Sequence, residues 1–191
     1  MRAQAAFERL PISSLAVKGS CTVCCAVKHF QESLPGRLRT EAQPQLCNFH
    51  AWLLAKSAQA EVAASLFLNA LSIKERITTS ALPSTCSGCA KIHEEEMERL
   101  REVTRELERN SLTGKWLKEH ARFCLRHMLR LKKQVPASLR NTLDEMSTRG
   151  VTELELELRE FLQQARQGDH SGGGVLGRAA EFLVGQRGIL D

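Results

Sequence analysis

Eight residues of this chain are of the types that bind soft metal ions, and they occur in four short motifs. Two of the motifs are Cys-x2-Cys pairs, and each is followed along the chain by a Cys-x2-His pair. In chain order the eight residues are Cys21, Cys24, Cys47, His50, Cys86, Cys89, Cys124 and His127. Three thiolates and one imidazole form a complete tetrahedral ligand set for one zinc ion. The chain therefore carries the ligands of two such sites.

The order of the motifs predicts that neighbouring motifs share an ion. The predicted sites are Cys21, Cys24, Cys47 and His50 in the first copy, then Cys86, Cys89, Cys124 and His127 in the second. The two motifs are separated by 22 residues in the first copy and by 34 in the second. Because this spacing exceeds that of a small zinc finger, we expect helices to close each site. At the start of a helix, ligands three residues apart lie on one face, and free backbone amides stabilise thiolate charge.

The number of ligands favours a structural role for the metal. Four protein ligands close the shell of a zinc ion, whereas a catalytic zinc keeps a position for water or substrate. We therefore favour a non-enzymatic protein. An iron–sulfur cluster is the alternative cofactor, because three cysteines and one histidine can also hold one. A c-type haem is excluded, since Cys25 and Ala90 stand where its attachment motif requires histidine.

Cysteines also occur in proteins as buried apolar residues and in disulfides. The repeated motifs could arise by chance among cysteines that serve as small buried apolar residues. Disulfides are disfavoured, because the chain has seven cysteines, an odd number, and because the histidines are regularly spaced. A metal protein of the reducing cytoplasm is the better interpretation. The odd thiol, Cys25, is a redox sensor, an alternate ligand or a small core residue.

The composition predicts an all-α protein that can bury a core. The chain has 191 residues, of which 42% are apolar and 5% aromatic, with no Tyr. Its apolar residues are mostly Leu and Ala, which favour helices over sheets. The formal charge is +5, and two zinc sites with three thiolates each would lower it to about +3. No apolar run reaches the length of a membrane span, and we expect the first twenty residues to be a leader rather than a signal peptide.

We predict two pseudo-repeated helical units, each nucleated by a metal site, and a C-terminal lid helix. The expected divisions are a leader at 1–20, a first unit at 21–82, a second unit at 83–167, and a Gly-rich linker with the terminal helix at 168–191. The expected helices of the first half are 24–34 and 47–77, and that of the next segment is 91–109. A further helix is expected to carry residues 116–131 after a cap at Asn110-Ser111. The last two expected helices are one that starts at Pro136 and is interrupted at Gly150, and one at 176–184.

A basic stripe provides a second functional hypothesis. Arg122, Arg126 and Arg130 recur every fourth residue, so they lie on one side of a helix. Binding of nucleic acid is the functional interpretation. The alternative is a face that is solvated or paired within the molecule, because the preceding helix is rich in glutamates. We favour the alternative, since the chain lacks the Tyr-rich surface expected of a protein that binds single strands.

The doubled motif order resembles a bacterial family of uncharacterised helical domains with two Cys-x2-Cys and Cys-x2-His half-site pairs. In that family, as in Leu46-Cys47 and Phe123-Cys124, an apolar or aromatic residue precedes the third cysteine. The segment Gly177–Gly185 is similar to the family's C-terminal ending. The resemblance covers about residues 20–188 and implies metal binding and a helical fold, but no established activity. The family often has proline within the motifs, and this chain has none there.

These observations lead to one main hypothesis and two alternatives. The main hypothesis is a cytoplasmic zinc protein without enzymatic activity, whose two sites fix a helical scaffold for a protein partner or for self-association. The first alternative is a redox or electron-transfer protein that carries iron–sulfur clusters. The second is a regulator that binds nucleic acid through the arginine stripe.

Overall fold

The computed structural model describes residues 10–15, 20–38, 46–56, 60–71, 86–168 and 174–185. Within these ranges the chain forms eight α-helices and a short 3-10 helix, so the predicted all-α class is confirmed. The elements are the 3-10 helix (Ile12–Leu15), α1 (Thr22–Leu38), α2 (Asn48–Ala55), α3 (Ala60–Leu71), α4 (Ser87–Arg109), α5 (Leu112–His120), α6 (Leu125–Gln134), α7 (Ala137–Arg166) and α8 (Gly174–Val184). None of the helices in these ranges is long and apolar enough to cross a membrane.

The chain divides into two compact units. Unit 1 is built on residues 27–95, and unit 2 on residues 8–26 and 96–189. In unit 1, α2 packs on α3. In unit 2, α7 packs on α5, α6 and α8, α6 also packs on α8, and the 3-10 helix packs on α5. The predicted limit between residues 82 and 83 lies outside the residues that the structure describes.

Unit 2 has a core of leucine and other aliphatic side chains. Leu100, Val103 and Leu107 are fully buried, which confirms the apolar stripe predicted for α4 within this unit. Part of the predicted leader also joins this core, because the Ile12 side chain is 1% exposed. The Ile12 backbone N–H donates a hydrogen bond to Glu102 Oε1 at 3.2 Å. Burial of each such aliphatic side chain stabilises the unit by about 1.5–3 kcal/mol.

Two helices of the first half differ from the sequence prediction. The helix predicted to end at residue 34 continues through Pro35 to Leu38. Proline removes one hydrogen bond from a helix, and here the full burial of Leu34 and Leu38 on either side of it offsets that loss. The predicted helix 47–77 is interrupted, since α2 ends at Ala55 with Lys56 as its C-cap. Residues 72–77 lie outside the described ranges.

In the second half of the chain, one predicted helix is divided in two, one predicted break is absent, and two further predictions were confirmed. The helix expected across residues 116–131 is divided between α5 and α6, whereas α7 continues through Gly150. A glycine inside a helix costs about 1 kcal/mol relative to alanine, and burial of Leu143 and Met146 on α7 offsets this cost. The Ser111 cap is confirmed, because its Oγ accepts a hydrogen bond from Gly114 N at 2.9 Å. The terminal helix predicted at 176–184 is confirmed as α8.

Candidate metal centres

All four cysteine motifs lie at the N-terminus of an α-helix. The carbonyl of the first cysteine in each motif accepts the first hydrogen bond of that helix, at 2.9–3.0 Å, and the second ligand follows within the first turn. The four bonds run from Cys25 N to Cys21 O, Ala51 N to Cys47 O, Ala90 N to Cys86 O, and Met128 N to Cys124 O. Residues three apart share a face of a helix. The two ligands of every motif therefore point in the same direction, as predicted for the Cys-x2-His pairs.

The structure brings the eight predicted ligands together in two groups, but the predicted pairing of neighbouring motifs is wrong. The first and last motifs form the outer site, which consists of Cys21, Cys24, Cys124 and His127. The two middle motifs form the inner site, which consists of Cys47, His50, Cys86 and Cys89. In each group the ligand atoms all lie within 4.8 Å of one another. The motifs are thus nested along the chain.

Hydrogen bonds of the backbone explain the nested pairing. In the outer site, Thr22 N donates to Arg122 O at 3.0 Å, and this bond joins the start of α1 to the extended segment before α6. Extended backbone at Ala121 and Cys124 separates α5 from α6. In the inner site, Cys47 N donates to Cys86 Sγ at 3.2 Å and joins the start of α2 to the start of α4. Each site therefore forms where two helix N-termini meet, and the positive ends of both helix dipoles favour bound thiolates.

The outer site is completely buried. His127 Nδ1 lies 3.2 Å from Cys21 Sγ, 3.4 Å from Cys24 Sγ and 3.2 Å from Cys124 Sγ. The sulfurs of Cys24 and Cys124 are 3.9 Å apart. The four ligands are between 1% and 5% exposed. Three sulfurs and one nitrogen thus surround a common point that is screened from solvent.

Glu96 of α4 holds the imidazole of the outer site. His127 Nε2 donates to Glu96 Oε1 at 2.7 Å, which directs Nδ1 toward the three sulfurs. The carboxylate is 3% exposed, and it also contacts Arg130 at 2.5 Å and Arg126 at 3.5 Å. Burial raises the pKa of Glu96, but His127 and the two arginines outweigh this effect and lower it. A carboxylate in this position fixes the orientation of a metal-binding histidine and strengthens it as a donor.

The inner site has similar distances but less protection. His50 Nδ1 lies 3.3 Å from Cys47 Sγ, 3.4 Å from Cys86 Sγ and 3.5 Å from Cys89 Sγ. The sulfurs of Cys47 and Cys89 are 3.8 Å apart. His50 is buried, whereas the three cysteines are half-buried. The inner site is therefore the more accessible of the two.

The imidazole of the inner site is positioned by packing against a glycine. Among the residues that the structure describes, His50 Nε2 is buried without a hydrogen-bond partner. A Cβ atom at Gly88 would lie 2.6 Å from Cγ of the His50 ring, so the ring occupies the space that a side chain would need. The corresponding position of the first motif is Val23, which is fully buried. The third position of the motif Cys86-Ser87-Gly88-Cys89 is therefore glycine because a larger residue would clash with the His50 ring.

Protons and metal compete for both groups of ligands. Burial and the neighbouring thiols raise the pKa of Cys89 to about 12, and burial raises the pKa of Cys21. Burial lowers the pKa of His50. Burial also lowers the pKa of His127, but hydrogen bonds to Cys124, Cys24 and Glu96 outweigh it and raise the value to about 11. Since metal ligands must be deprotonated, binding of a divalent cation would release these protons.

The end of α8 lies beside the outer site. A Cβ atom at Gly185 would be 3.7 Å from Cys24 Sγ and 3.8 Å from Cys124 Sγ. A cavity of about 300 Å³ next to this site is bordered by Cys21 and Cys124 as well as by residues of α7 and α8. Its charged wall residues include Arg178, whose Nη2 donates to Glu157 Oε2 at 2.6 Å. The C-terminal segment thus contributes to the surroundings of the outer ligands.

The eight candidate ligands predicted from the sequence are the residues of the two groups, whereas the residues that surround them were not predicted. Glu96 lies in a run of acidic residues on α4, and nothing in the sequence distinguishes it from its neighbours. Gly88 offered a signal, because it is the one glycine inside a cysteine motif. Cys25, the odd thiol, belongs to neither group of ligands.

Comparison of the chain with protein-family models, with curated proteins and with solved structures gave no match. The resemblance to a bacterial family of helical domains therefore stays a prediction. The two ligand groups on a helical fold agree with it. Function is therefore inferred from the geometry of the two sites.

Proposed function

We propose that this protein is a non-enzymatic zinc protein, in which two Cys3His sites fix a helical scaffold for protein–protein interaction. One observation carries the proposal: eight ligands from four distant motifs form two groups, each with three sulfurs and one imidazole nitrogen. Apparent binding energies of structural zinc sites are about 10–16 kcal/mol, which is comparable with the whole stability of a domain. Zinc would therefore be part of the fold.

The distances between ligand atoms support a single tetrahedral ion at each site. Ligand bonds of about 2.3 Å to sulfur and 2.0–2.1 Å to nitrogen place sulfurs about 3.8 Å apart and sulfur and nitrogen about 3.5 Å apart. One sulfur pair in each group is 3.9 Å or 3.8 Å apart, and the sulfur–nitrogen distances are 3.2–3.5 Å. In an iron–sulfur cluster the protein ligands bind different irons and stand further apart. The compact groups therefore favour zinc over the cluster that the sequence left open.

The surroundings of the sites support a structural role for the zinc. Each group supplies four protein ligands, so no position is left for a substrate or a reactive water. None of the seven cysteines forms a disulfide, and we propose the reducing cytoplasm as the location.

The proposed protein partner is supported by exposed apolar side chains on α6. Leu125 and Leu129 are 43% and 52% exposed, and they are four residues apart on one face of α6. Self-association through this face is directly testable by light scattering with the double change of Leu125 and Leu129 to Ser. If the wild type and the double variant are both monomers, self-association is excluded and the partner must be a different protein.

The arginine stripe gives less support to nucleic-acid binding than its sequence suggested. Arg122 is paired with Glu153, and both Arg126 and Arg130 contact Glu96. A guanidinium that is paired within the molecule has less charge to offer to a phosphate. The paired face that we favoured as the alternative is therefore the better interpretation.

Metal analysis of anaerobically purified protein tests the proposal. We expect two zinc equivalents per chain and no absorption in the visible range. The change Cys25→Ser is the matched control, because this cysteine lies beside a ligand but outside both groups, and it should keep both equivalents. A coloured protein that contains iron, or a protein without bound metal, would contradict the proposal.

A further inference from the structure

We infer that the two sites have different functions: the outer site holds its zinc permanently, and the inner site is an exchangeable zinc site. The metal of the inner site would pass to acceptors with nitrogen or sulfur donors, such as chelators or thiol-rich zinc-binding proteins. This inference rests on the proposed function, because it requires zinc at both sites.

Exposure of the ligands is the first observation that separates the sites. Cys47, Cys86 and Cys89 are half-buried, whereas the outer cysteines are at most 5% exposed. A ligand of an acceptor must reach the metal before the protein releases it. The half-buried cysteines of the inner site leave such an approach, and the buried cysteines of the outer site do not.

Support of the imidazole is the second observation. His127 Nε2 donates to the buried Glu96, which is itself held by Arg130 at 2.5 Å. In the described part of the chain, the corresponding nitrogen of His50 has no hydrogen-bond partner. Loss of such a supporting contact typically weakens metal binding by about 10- to 100-fold. The same three thiolates and imidazole should therefore hold zinc less tightly in the inner site.

Two features of the structure oppose this ranking, and neither reverses it. The cavity of about 300 Å³ borders Cys21 and Cys124, but these side chains are only 5% and 1% exposed. The inner site gains one backbone hydrogen bond from Cys47 N to Cys86 Sγ. That bond stabilises one thiolate and leaves the half-buried edge of the site open.

Exchange at the inner site needs no oxidant. Cys47, Cys86, Cys89 and His50 would hold the zinc, and donor atoms of the acceptor would replace them one by one. Each released thiolate would be protonated by the solvent, and His50 would leave as a neutral imidazole. No electrons are transferred, so all steps are ligand substitutions.

The chelator 4-(2-pyridylazo)resorcinol tests the inference on the wild-type protein. We expect one zinc equivalent to leave in a fast phase, and the second at least tenfold more slowly. Iodoacetamide added after the fast phase, followed by peptide mass spectrometry, identifies the emptied site without any mutation. Label on Cys47, Cys86 and Cys89 would support the inference, and label on the outer cysteines would overturn it.

Two glutamates of α4 provide a matched pair of variants. Glu96→Gln weakens the support of His127, so we expect release from the outer site to become about 10- to 100-fold faster. Glu98→Gln removes the same charge two residues away, at a carboxylate that pairs with Arg101 and Arg105, and should leave both phases unchanged. If Glu96→Gln left the slow phase unchanged, the role assigned to this carboxylate would be wrong.

The outcomes separate this inference from the function on which it depends. A purified protein without zinc would contradict the proposed function itself. A protein with two zinc equivalents that leave in a single phase would keep the proposed function and overturn only the inference.

Discussion

The outer and inner sites use the same ligands at the same positions of their helices but differ in what surrounds the ligands. In the outer site a buried carboxylate, Glu96, fixes the imidazole, and all four ligands are shielded from solvent. In the inner site the imidazole of His50 lies against Gly88, and the sulfurs remain half-buried. The same ligand motifs therefore have different surroundings in the two groups, and surroundings of this kind tune metal affinity in proteins.

The two sites also join helices that are separated by different lengths of chain. The outer site joins helices at the start and in the middle of the chain, and the bond from Thr22 N to Arg122 O reinforces this connection. The inner site joins α2 to α4 within unit 1. Closing the longer loop costs only slightly more conformational entropy than closing the shorter one. Chain separation therefore gives little energetic reason for neighbouring motifs to pair.

The largest expected effect comes from removing one ligand of each site in turn. Cys124→Ser should lower the zinc content to about half and unfold unit 2, because a structural zinc contributes about 10–16 kcal/mol. Cys89→Ser should lower the zinc content equally but affect unit 1. Metal analysis combined with circular dichroism measures both changes.

The alkylation pattern of Cys124→Ser also tests the nested pairing directly. If the outer motifs share an ion, Cys21 and Cys24 become reactive toward iodoacetamide while Cys86 stays protected. Reaction at Cys86 and Cys89 instead would restore the pairing of neighbouring motifs. Full zinc occupancy in this variant would show that Cys124 is not a ligand.

A second effect should be confined to the inner site. Gly88→Ala places a Cβ atom 2.6 Å from the His50 ring, and overpacking of this kind costs about 1–3 kcal/mol. We expect the affinity of one zinc equivalent to fall by about 10- to 100-fold, since 1.4 kcal/mol corresponds to a factor of ten. Competition with a chelator measures this affinity.

Gly150→Ala is the control for that substitution. A Cβ atom at Gly150 would meet no atom within 4 Å apart from its chain neighbours and the backbone of its own helix, α7. Alanine should therefore stabilise the protein by about 0.5–1 kcal/mol and leave both zinc affinities unchanged. Equal loss of zinc in the two variants would contradict the packing role of Gly88.

The sequence was sufficient to predict the helical class and the residues of the two Cys/His groups, because both depend on local patterns. Ligands such as Cys124 and His127 are recognisable from their spacing. The pairing was not predictable, because it depends on the contact between Thr22 and Arg122, which tertiary packing brings together. Glu96 was also hidden, since its role comes from facing His127 rather than from its neighbours in the chain.

A third and smaller effect should be confined to unit 2, which contains the outer site. Gly185 follows α8 with a φ of +84°, a conformation that costs residues with a Cβ about 1–2 kcal/mol. Gly185→Ala should therefore destabilise unit 2 by about this amount, as measured by denaturant unfolding, without changing release from the inner site. Gly177→Ala, inside the same helix and with open space around it, should be neutral or stabilising. Faster release from the inner site in Gly185→Ala would contradict the separation of the two sites.

The smallest expected effect belongs to Glu98, which, like Glu96, pairs with two arginines of the chain. Its carboxylate pairs with Arg101 at 2.5 Å and with Arg105 at 3.0 Å. Burial raises the pKa of Glu98, but the hydrogen bonds and charges of Arg101 and Arg105 together outweigh it and lower the value. Such partly exposed pairs stabilise helices by about 0.2–0.5 kcal/mol each.

The sign of this shift fixes how Glu98→Gln should depend on pH. A pKa that is lower in the folded state contributes stability that is complete above the unfolded value, which is about 4.3 for glutamate. The difference in unfolding free energy between wild type and Glu98→Gln should therefore stay constant from about pH 8 to 6 and decline only as the pH falls through the folded pKa. Paired denaturant titrations at each pH measure this difference. A difference that grew on acidification would contradict the assigned ion pairs. Faster zinc release from Glu98→Gln would show that a glutamate of α4 need not face His127 to support the metal.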